Sequence, residues 1–156
     1  METVNYLNVE ELVATLRAQA LEMERYFELQ EPVLSQTYAV GKWSIREILH
    51  HLADAECVLS ERIRRGIARP GQVVWGFDPD AWAEGLDYAR RDLDVDAAVF
   101  AAVRRANVEM ALAYYESAGA NRYVHNETGL RTVKEEFDKV AWHNEHHLRH
   151  IRTALG

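Results

Sequence analysis

The sequence contains one cysteine, Cys57, among 156 residues, so an internal disulfide is excluded. Three prolines and eight glycines leave few turn-forming positions, and few apolar stretches alternate in the way that strands require. No apolar run is long enough to span a bilayer or to serve as a signal sequence. These shortages argue against a disulfide scaffold, a sheet-rich fold and a membrane protein, and we expect an all-α protein of the cytoplasm.

Basic residues are also scarce relative to acidic ones. Eighteen Lys and Arg against 25 Asp and Glu give a formal net charge of -7. The short basic run Arg62–Arg65 is interpreted as a solvated helix face. Nucleic acid and anionic membranes are therefore poor candidates for partners. We expect a small-molecule substrate and, because helical bundles commonly self-associate, a homodimer.

Four segments have the composition and apolar spacing of amphipathic helices. Three of them open on Asn8, Ser44 and Thr132, each followed three residues later by Glu, which is the spacing of a capping box. The segments run from Asn8 to the residue before Pro32, from Ser44 to Pro70, from Val95 to Ser117 with Gly119 as terminator, and from Thr132 to Leu155.

The connections between these helices differ in length. The stretch from Arg69 to Leu93 is rich in Gly, Pro and Asp, and it is long for a connection in a compact domain. It is either functional or partly helical, and we expect it to cover one end of the bundle as a lid. The segment from Ala120 to Arg131 is expected to be a loop. The sequence thus predicts a single domain over residues 1–156, an antiparallel four-helix bundle with a long connection between its second and third helices.

The seven histidines are distributed unevenly. Four fall within residues 142–150, and an adjacent pair, His50 and His51, lies much earlier in the chain. Two imidazoles four residues apart on a helix are separated by about 40° of rotation and about 6 Å of rise, so both can reach one ion. This distribution favours a metal site built from two helices, in which the earlier pair supplies the third ligand.

On a helical wheel of the fourth helix, His147 lies about 60° from the apolar centre and His143 about 100° away on the same flank. His150 lies about 120° away and His146 about 160° away. The inward pair is therefore His143 and His147. A histidine near the end of a helix also interacts favourably with the helix dipole, and this alone suffices to explain His150 and His146.

A helical wheel of the second helix shows which of His50 and His51 lies nearer the apolar face. His51 lies about 110° from the apolar centre and His50 about 150° away. His51 is therefore the predicted third ligand, and the predicted metal site consists of His51, His143 and His147. Such a site leaves at least one coordination position open for catalysis or substrate binding.

Two histidine motifs in this order resemble the DinB/YfiT-like superfamily. They are the segments 43–56 and 142–151. The intervening residues 77–83, which include Asp78 and Trp82, are similar to a segment with Asp and Trp in the YfiT branch of that superfamily. The resemblance spans residues 43–151. It implies a four-helix bundle with a divalent metal held by His51, His143 and His147, the same residues that the helical wheels select.

The resemblance also implies a range of activities. Members include S-transferases that use low-molecular-weight thiols such as bacillithiol, a mycothiol-dependent isomerase, and proteins described as metal-dependent hydrolases. Our leading hypothesis is a thiol-dependent S-transferase in which the metal activates the thiol. The alternatives are hydrolysis by metal-activated water and a non-catalytic metal-binding stress-response module. Zinc is the expected ion, with nickel, iron and manganese as alternatives.

Glu56 is the candidate proton acceptor, because it falls near the middle of the apolar face of the second helix, where an unpaired carboxylate is costly. Alternatively, Glu56 pairs with an arginine such as Arg152 or bends out to solvent. Asp54 lies on the polar side of the same helix and is expected to be solvated.

Aromatic residues in the long connection have two possible roles. Trp75, Phe77 and Trp82 either wall a substrate pocket or plug one end of the core. Cys57 lies about 120° from His51 on the wheel and is a poor fourth ligand. His125, in the expected loop, is predicted to be a surface residue.

Overall fold

The computed structural model describes residues 8–156, so the first seven residues of the expected domain lie outside the described part of the chain. Within that part the secondary structure is mostly helical. The helices are α1 (Val9–Phe27), α2 (Ile45–Ala68), α3 (Pro79–Gly85), α4 (Leu93–Tyr114) and α5 (Val133–Leu155), and the strands are β1 (Val73–Val74), β2 (Arg122–His125) and β3 (Gly129–Thr132).

The predicted helix starts are confirmed by the hydrogen bonds at their N-termini. The side chain of Asn8 accepts a hydrogen bond from the backbone N–H of Glu11 at the start of α1. Ser44 and Thr132 each form a reciprocal capping box with the glutamate three residues on. These caps satisfy backbone N–H groups that a helix start leaves without partners.

Helices α1, α2, α4 and α5 form the predicted four-helix bundle, in which α2 packs against α4 and α5, and α1 packs against the same two helices. Pairing of His50 with Asp96 and of Glu56 with Arg104 shows that α2 and α4 run in the same direction, so the bundle is not antiparallel throughout as predicted. Parallel neighbours need a connection that returns along the bundle, which explains the length of the segment between them. Within residues 8–156, no helix is both long and apolar enough to cross a bilayer.

The long connection is partly helical, one of the two alternatives that its sequence left open. It contains β1 and the short helix α3, which packs against α2. The side chain of Asp78 caps α3 by accepting hydrogen bonds from the backbone N–H groups of Asp80 and Ala81. Pro79 at the first helical position contributes a backbone angle that already suits a helix.

The prediction of a loop over residues 120–131 is wrong. Strands β2 and β3 form an antiparallel hairpin there, and β1 pairs with β2 in parallel. Strands of two to four residues are too short to give a clear alternating pattern in the sequence. The third bundle helix also ends earlier than predicted, at Tyr114 instead of Ser117.

The bundle core has two apolar clusters and a set of buried polar residues. Arg104 donates hydrogen bonds to both carboxylate oxygens of Glu56, at 2.7 and 2.8 Å, and Asn107 donates a third at 2.9 Å. Glu56 therefore pairs with an arginine, but the partner is Arg104. Arg152, the arginine suggested from the sequence, binds Glu22 at the surface instead.

Candidate metal centre

The structure brings the three predicted histidines together. His51 extends from α2, and His143 and His147 extend from consecutive turns of α5, which lies next to α2. One ring nitrogen from each lies within 4.8 Å of the other two. The Nε2 atoms of His51 and His143 are 3.1 Å apart.

The geometry and donor set fit a divalent transition metal. Imidazole nitrogens bind Zn²⁺ at about 2.0–2.1 Å, so two ligands in a tetrahedral arrangement lie about 3.3 Å apart. The 3.1 Å separation of the His51 and His143 nitrogens is close to this value. Three imidazole ligands suit zinc, nickel, iron and manganese, and they leave a position for another ligand.

The environment keeps all three imidazoles neutral, which is the state that a metal ligand requires. Burial lowers the pKa of His51 to about 4 and that of His143 well below its usual range. Burial, followed by the neighbouring imidazoles, lowers the pKa of His147 to about 2. The rings therefore present lone pairs at neutral pH without first losing a proton.

Aromatic side chains surround these imidazoles. Trp43 packs against His51 with ring centroids 4.9 Å apart and against His147 at 6.2 Å. Phe77 lies 6.0 Å from His51 by the same measure, and Trp82 packs against Phe77 at 4.6 Å. These contacts favour the pocket-wall role for Phe77 and, through it, for Trp82.

Trp75 is different from the other aromatic residues of the connection. Its side chain is 72% exposed, so it does not plug the core. Its backbone carbonyl accepts a hydrogen bond from Arg62, which is buried. The interpretation of the Arg62–Arg65 run as a solvated face is therefore wrong for its first residue, because Arg62 also pairs with the buried carboxylate of Glu136.

Across residues 8–156, the second ring nitrogens of His51 and His147 lack the hydrogen bond that usually orients a metal-binding imidazole. Nδ1 of His51 and Nδ1 of His147 are buried without a hydrogen-bond partner among the described residues. Metal-bound histidines usually donate their other ring N–H to a carboxylate or carbonyl. Trp43 contacts both rings, so packing against it limits the orientations that they can adopt.

Two predictions for polar residues of α2 are wrong. His50, predicted to point outward, is fully buried, and its Nδ1 lies 2.6 Å from a carboxylate oxygen of Asp96. Asp54, predicted to be solvated, forms a bidentate ion pair with Arg91 and accepts a hydrogen bond from Tyr88. The first error arises because α2 packs against α4 as well as α5, and the second because the end of the long connection, which holds Tyr88 and Arg91, covers the polar side of α2.

The remaining candidates lie outside the centre. His125 is buried on β2, against the prediction of a surface residue, because alternate residues of that strand face inward. His146 is exposed as predicted, and His150 stacks on Tyr38. Cys57 is half-buried, and burial raises its thiol pKa, so it is a poor nucleophile.

Two residues beside the centre were not identified from the sequence. Trp43 lies before α2 begins, and its contacts with the histidines depend on tertiary packing. Lys139 precedes His143 by one helical turn, and this spacing is visible in the sequence. The same i, i+4 spacing that selected His143 and His147 therefore extends to Lys139.

Comparisons with known proteins agree with this description. The family profile described as the DinB superfamily matches residues 15–151. A protein of Oceanobacillus iheyensis, named provisionally as a metal-dependent hydrolase, is 30% identical over 128 residues, which cover 82% of this chain and 73% of the relative. A protein of Halalkalibacterium halodurans with the same provisional name is 23% identical over 127 residues, which cover 81% of this chain and 74% of the relative.

The fold is also similar to a solved structure, that of YfiT from Bacillus subtilis, described as a probable metal-dependent hydrolase with an unusual four-helix bundle topology. The TM-score is 0.86 with 19% sequence identity, and the match covers 97% of this chain and 88% of YfiT. This likeness establishes the fold of the bundle.

Proposed function

The chain belongs to the DinB superfamily, and from this premise we propose that it is a metal-dependent S-transferase, which joins the sulfur of a low-molecular-weight thiol to a small electrophile. The observation that carries the proposal is the convergence of ring nitrogens from His51, His143 and His147 within 4.8 Å. Three protein ligands are the number that catalytic zinc sites use, with a further position left for substrate.

The three histidines are suited to bind an ion that leaves a coordination position open for the thiol. A divalent ion bound to them would supply a Lewis acid that stabilises a sulfur anion and so lowers the pKa of a thiol. Because the imidazoles are neutral, they add no positive charge of their own and need no proton removed before binding. We propose zinc as the ion and a bacillithiol-like compound as the thiol.

Two carboxylates of α2 support a thiol as the nucleophile in preference to water. Water needs a proton acceptor nearby, whereas a thiol has an ordinary pKa of about 8.5 and ionises with less help. Both oxygens of Glu56 are occupied by Arg104 and Asn107, and Asp54 is bound to Arg91. Neither carboxylate is therefore available in this arrangement to accept a proton from water.

Trp43 and Phe77 form the apolar part of the site. Their rings contact His51 and so exclude water from that side of the imidazole. Exclusion of water strengthens electrostatic interactions at the reacting centre. An electrophile with an apolar or aromatic body would pack against the same rings.

Hydrolysis is the second candidate, and the provisional names of the relatives favour it. The same three histidines would hold an ion whose chemistry is to lower the pKa of water toward neutrality. This alternative needs a proton acceptor other than Glu56 or Asp54 in the arrangement described above.

A product assay separates these functions. Untagged, metal-loaded protein is incubated with bacillithiol, glutathione, mycothiol or coenzyme A and a chromogenic electrophile, and separately with chromogenic esters. We expect a thioether product that depends on both thiol and metal and is lost in His147→Ala. Ester hydrolysis without thiol would favour the second candidate, and metal binding without product from any combination would contradict an enzymatic role.

A further inference from the structure

Lys139 lies on the same flank of α5 as the metal-binding histidines. It precedes His143 by four residues and His147 by eight. Each step of four residues advances about 6 Å along the helix and rotates by about 40°, so the three side chains form one continuous row. Lys139 is the member of this row next to His143, and the two groups are close enough that Lys139 affects the pKa of His143.

Among residues 8–156, Lys139 has no acidic partner of its own. Its side chain is half-buried, and among residues 8–156 no carboxylate oxygen lies within 4.0 Å of its amine. Two carboxylates close to it in sequence are bound elsewhere. Asp138 accepts a hydrogen bond from Tyr115, and Glu136 accepts hydrogen bonds from Arg62 and from a buried tyrosine hydroxyl. A half-buried ammonium group without a partner is unusual, because burial penalises the charged form.

Most of the other charged groups around Lys139 form ion pairs of their own. Glu136 on α5 and Glu127 in the β2–β3 turn are acidic, whereas Arg62 on α2 and Arg131 on β3 are basic. Arg62 pairs with Glu136 and Arg131 pairs with Glu135, so Lys139 is the basic group of this set that forms no ion pair among residues 8–156. Burial, the largest influence, lowers the pKa of Lys139, and a bound anion would reverse that effect.

We propose that Lys139 is a specificity-determining residue that binds an anionic group, a carboxylate or a phosphate, of the substrate handled at the three-histidine centre. This inference rests on the proposed function, which supplies the reaction at that centre. A lysine ammonium is a compact charge on a flexible stem, well suited to bind an anionic group without fixing its orientation. The substrate or the thiol is thus expected to be an acid.

The chain allows a direct test, because it has only three lysines: Lys42, Lys134 and Lys139. Protein labelled with isotopes at the lysine ε-position gives one NMR signal for each. Lys134, on the same helix, lies over the ring of Tyr115 at 4.5 Å and serves as an internal control. Acetate and inorganic phosphate are titrated separately at constant ionic strength.

We expect the Lys139 signal to shift saturably with at least one of the two anions while the signals of Lys42 and Lys134 respond only weakly. The anion that saturates at the lower concentration identifies the carboxylate or the phosphate as the preferred group. Equal shifts of all three signals, or no shift of Lys139 with either anion, would overturn the proposal.

Variants of Lys139 test whether the lysine itself sets the anion affinity, which a lysine with a merely structural role would leave unchanged. Lys139→Met should weaken anion binding, measured by isothermal titration calorimetry, about 10- to 100-fold, the range expected when a charged hydrogen-bond partner is lost. Lys139→Arg should restore most of the affinity, and Lys134→Met should leave it unchanged. Equal anion affinity in the wild type and Lys139→Met would contradict the inference.

Failure of this inference can be distinguished from failure of the proposed function. Metal content and thiol transfer are measured on the same preparations. Metal-dependent transfer with no anion response at Lys139 would overturn the role of Lys139 alone. A saturable Lys139 response in protein that binds no metal would overturn the proposed function and leave an anion site.

Discussion

His51 Nε2 and His143 Nε2 face each other at 3.1 Å across the contact between α2 and α5. Two neutral imidazoles at this distance can share one proton, or both can direct lone pairs at an ion between them. His147, one turn further along α5, adds the third nitrogen. The proposed metal centre is thus a feature of one helix-helix contact, and its parts can be tested separately.

Replacing His147 with alanine should abolish stoichiometric metal binding, because two imidazoles remain where three converge. His146→Ala is the matched control, since His146 is exposed and belongs to the same helix. Metal content is measured by elemental analysis of untagged protein. Equal loss of metal from both variants would contradict the assignment of ligands.

The stability of metal-free protein should fall as the pH is lowered below about 6.5. The pKa of His51 is about 4 in the folded state, and an unfolded histidine titrates near 6.5. Between these values the unfolded chain binds protons that the folded chain does not, so stability rises with pH by up to about 1.4 kcal/mol per pH unit for each such ring.

Urea unfolding of metal-free protein between pH 7.5 and 5 measures this dependence. His51→Phe should show a shallower slope than the wild type, because it removes one of the buried neutral rings. A free energy of unfolding that is flat over this range would contradict the burial of the three histidines as neutral groups.

Phe77→Ala should raise the KM for the electrophile while leaving metal content near normal, because Phe77 contacts His51 but supplies no ligand. Trp75→Ala is the control, since that side chain is 72% exposed and its hydrogen bond to Arg62 involves only the backbone carbonyl. Steady-state kinetics on both variants provide the measurement. An unchanged KM in Phe77→Ala would exclude it from the pocket wall.

Glu56→Ala should lower the free energy of unfolding by about 3–5 kcal/mol, because Arg104 would remain as a buried charge without its partner. Glu22→Ala, which breaks a partly exposed ion pair with Arg152, should cost about 0–1 kcal/mol. Thiol transfer, metal content and chemical denaturation are measured on both. Loss of activity in Glu56→Ala with unchanged stability would instead support a catalytic role for this carboxylate.

The parts of the site that the sequence could predict are those set by local spacing. The i, i+4 step places His143 and His147 on one flank of α5 in any regular helix. The capping boxes at Ser44 and Thr132 fix the helix starts in the same local way. These features need no knowledge of neighbouring elements.

The errors concern residues whose environment depends on neighbouring elements. His50 finds its partner Asp96 on α4, and Asp54 finds its partner Arg91 in the connection that precedes α4. A helical wheel assigns one buried face to each helix, so it cannot represent a helix that is buried on two sides. The short strands were missed for a related reason. They form because they pair with each other, and their own sequences are too short to show a strand pattern.

Anomalous X-ray diffraction from crystals of untagged protein tests the central claim most directly. We expect a single strong peak about 2.0–2.1 Å from one ring nitrogen each of His51, His143 and His147. Two results would contradict the metal centre and the enzyme function proposed for it. One is the absence of a peak at that position in crystals grown with zinc, and the other is a structure in which the three imidazole rings diverge from a common point.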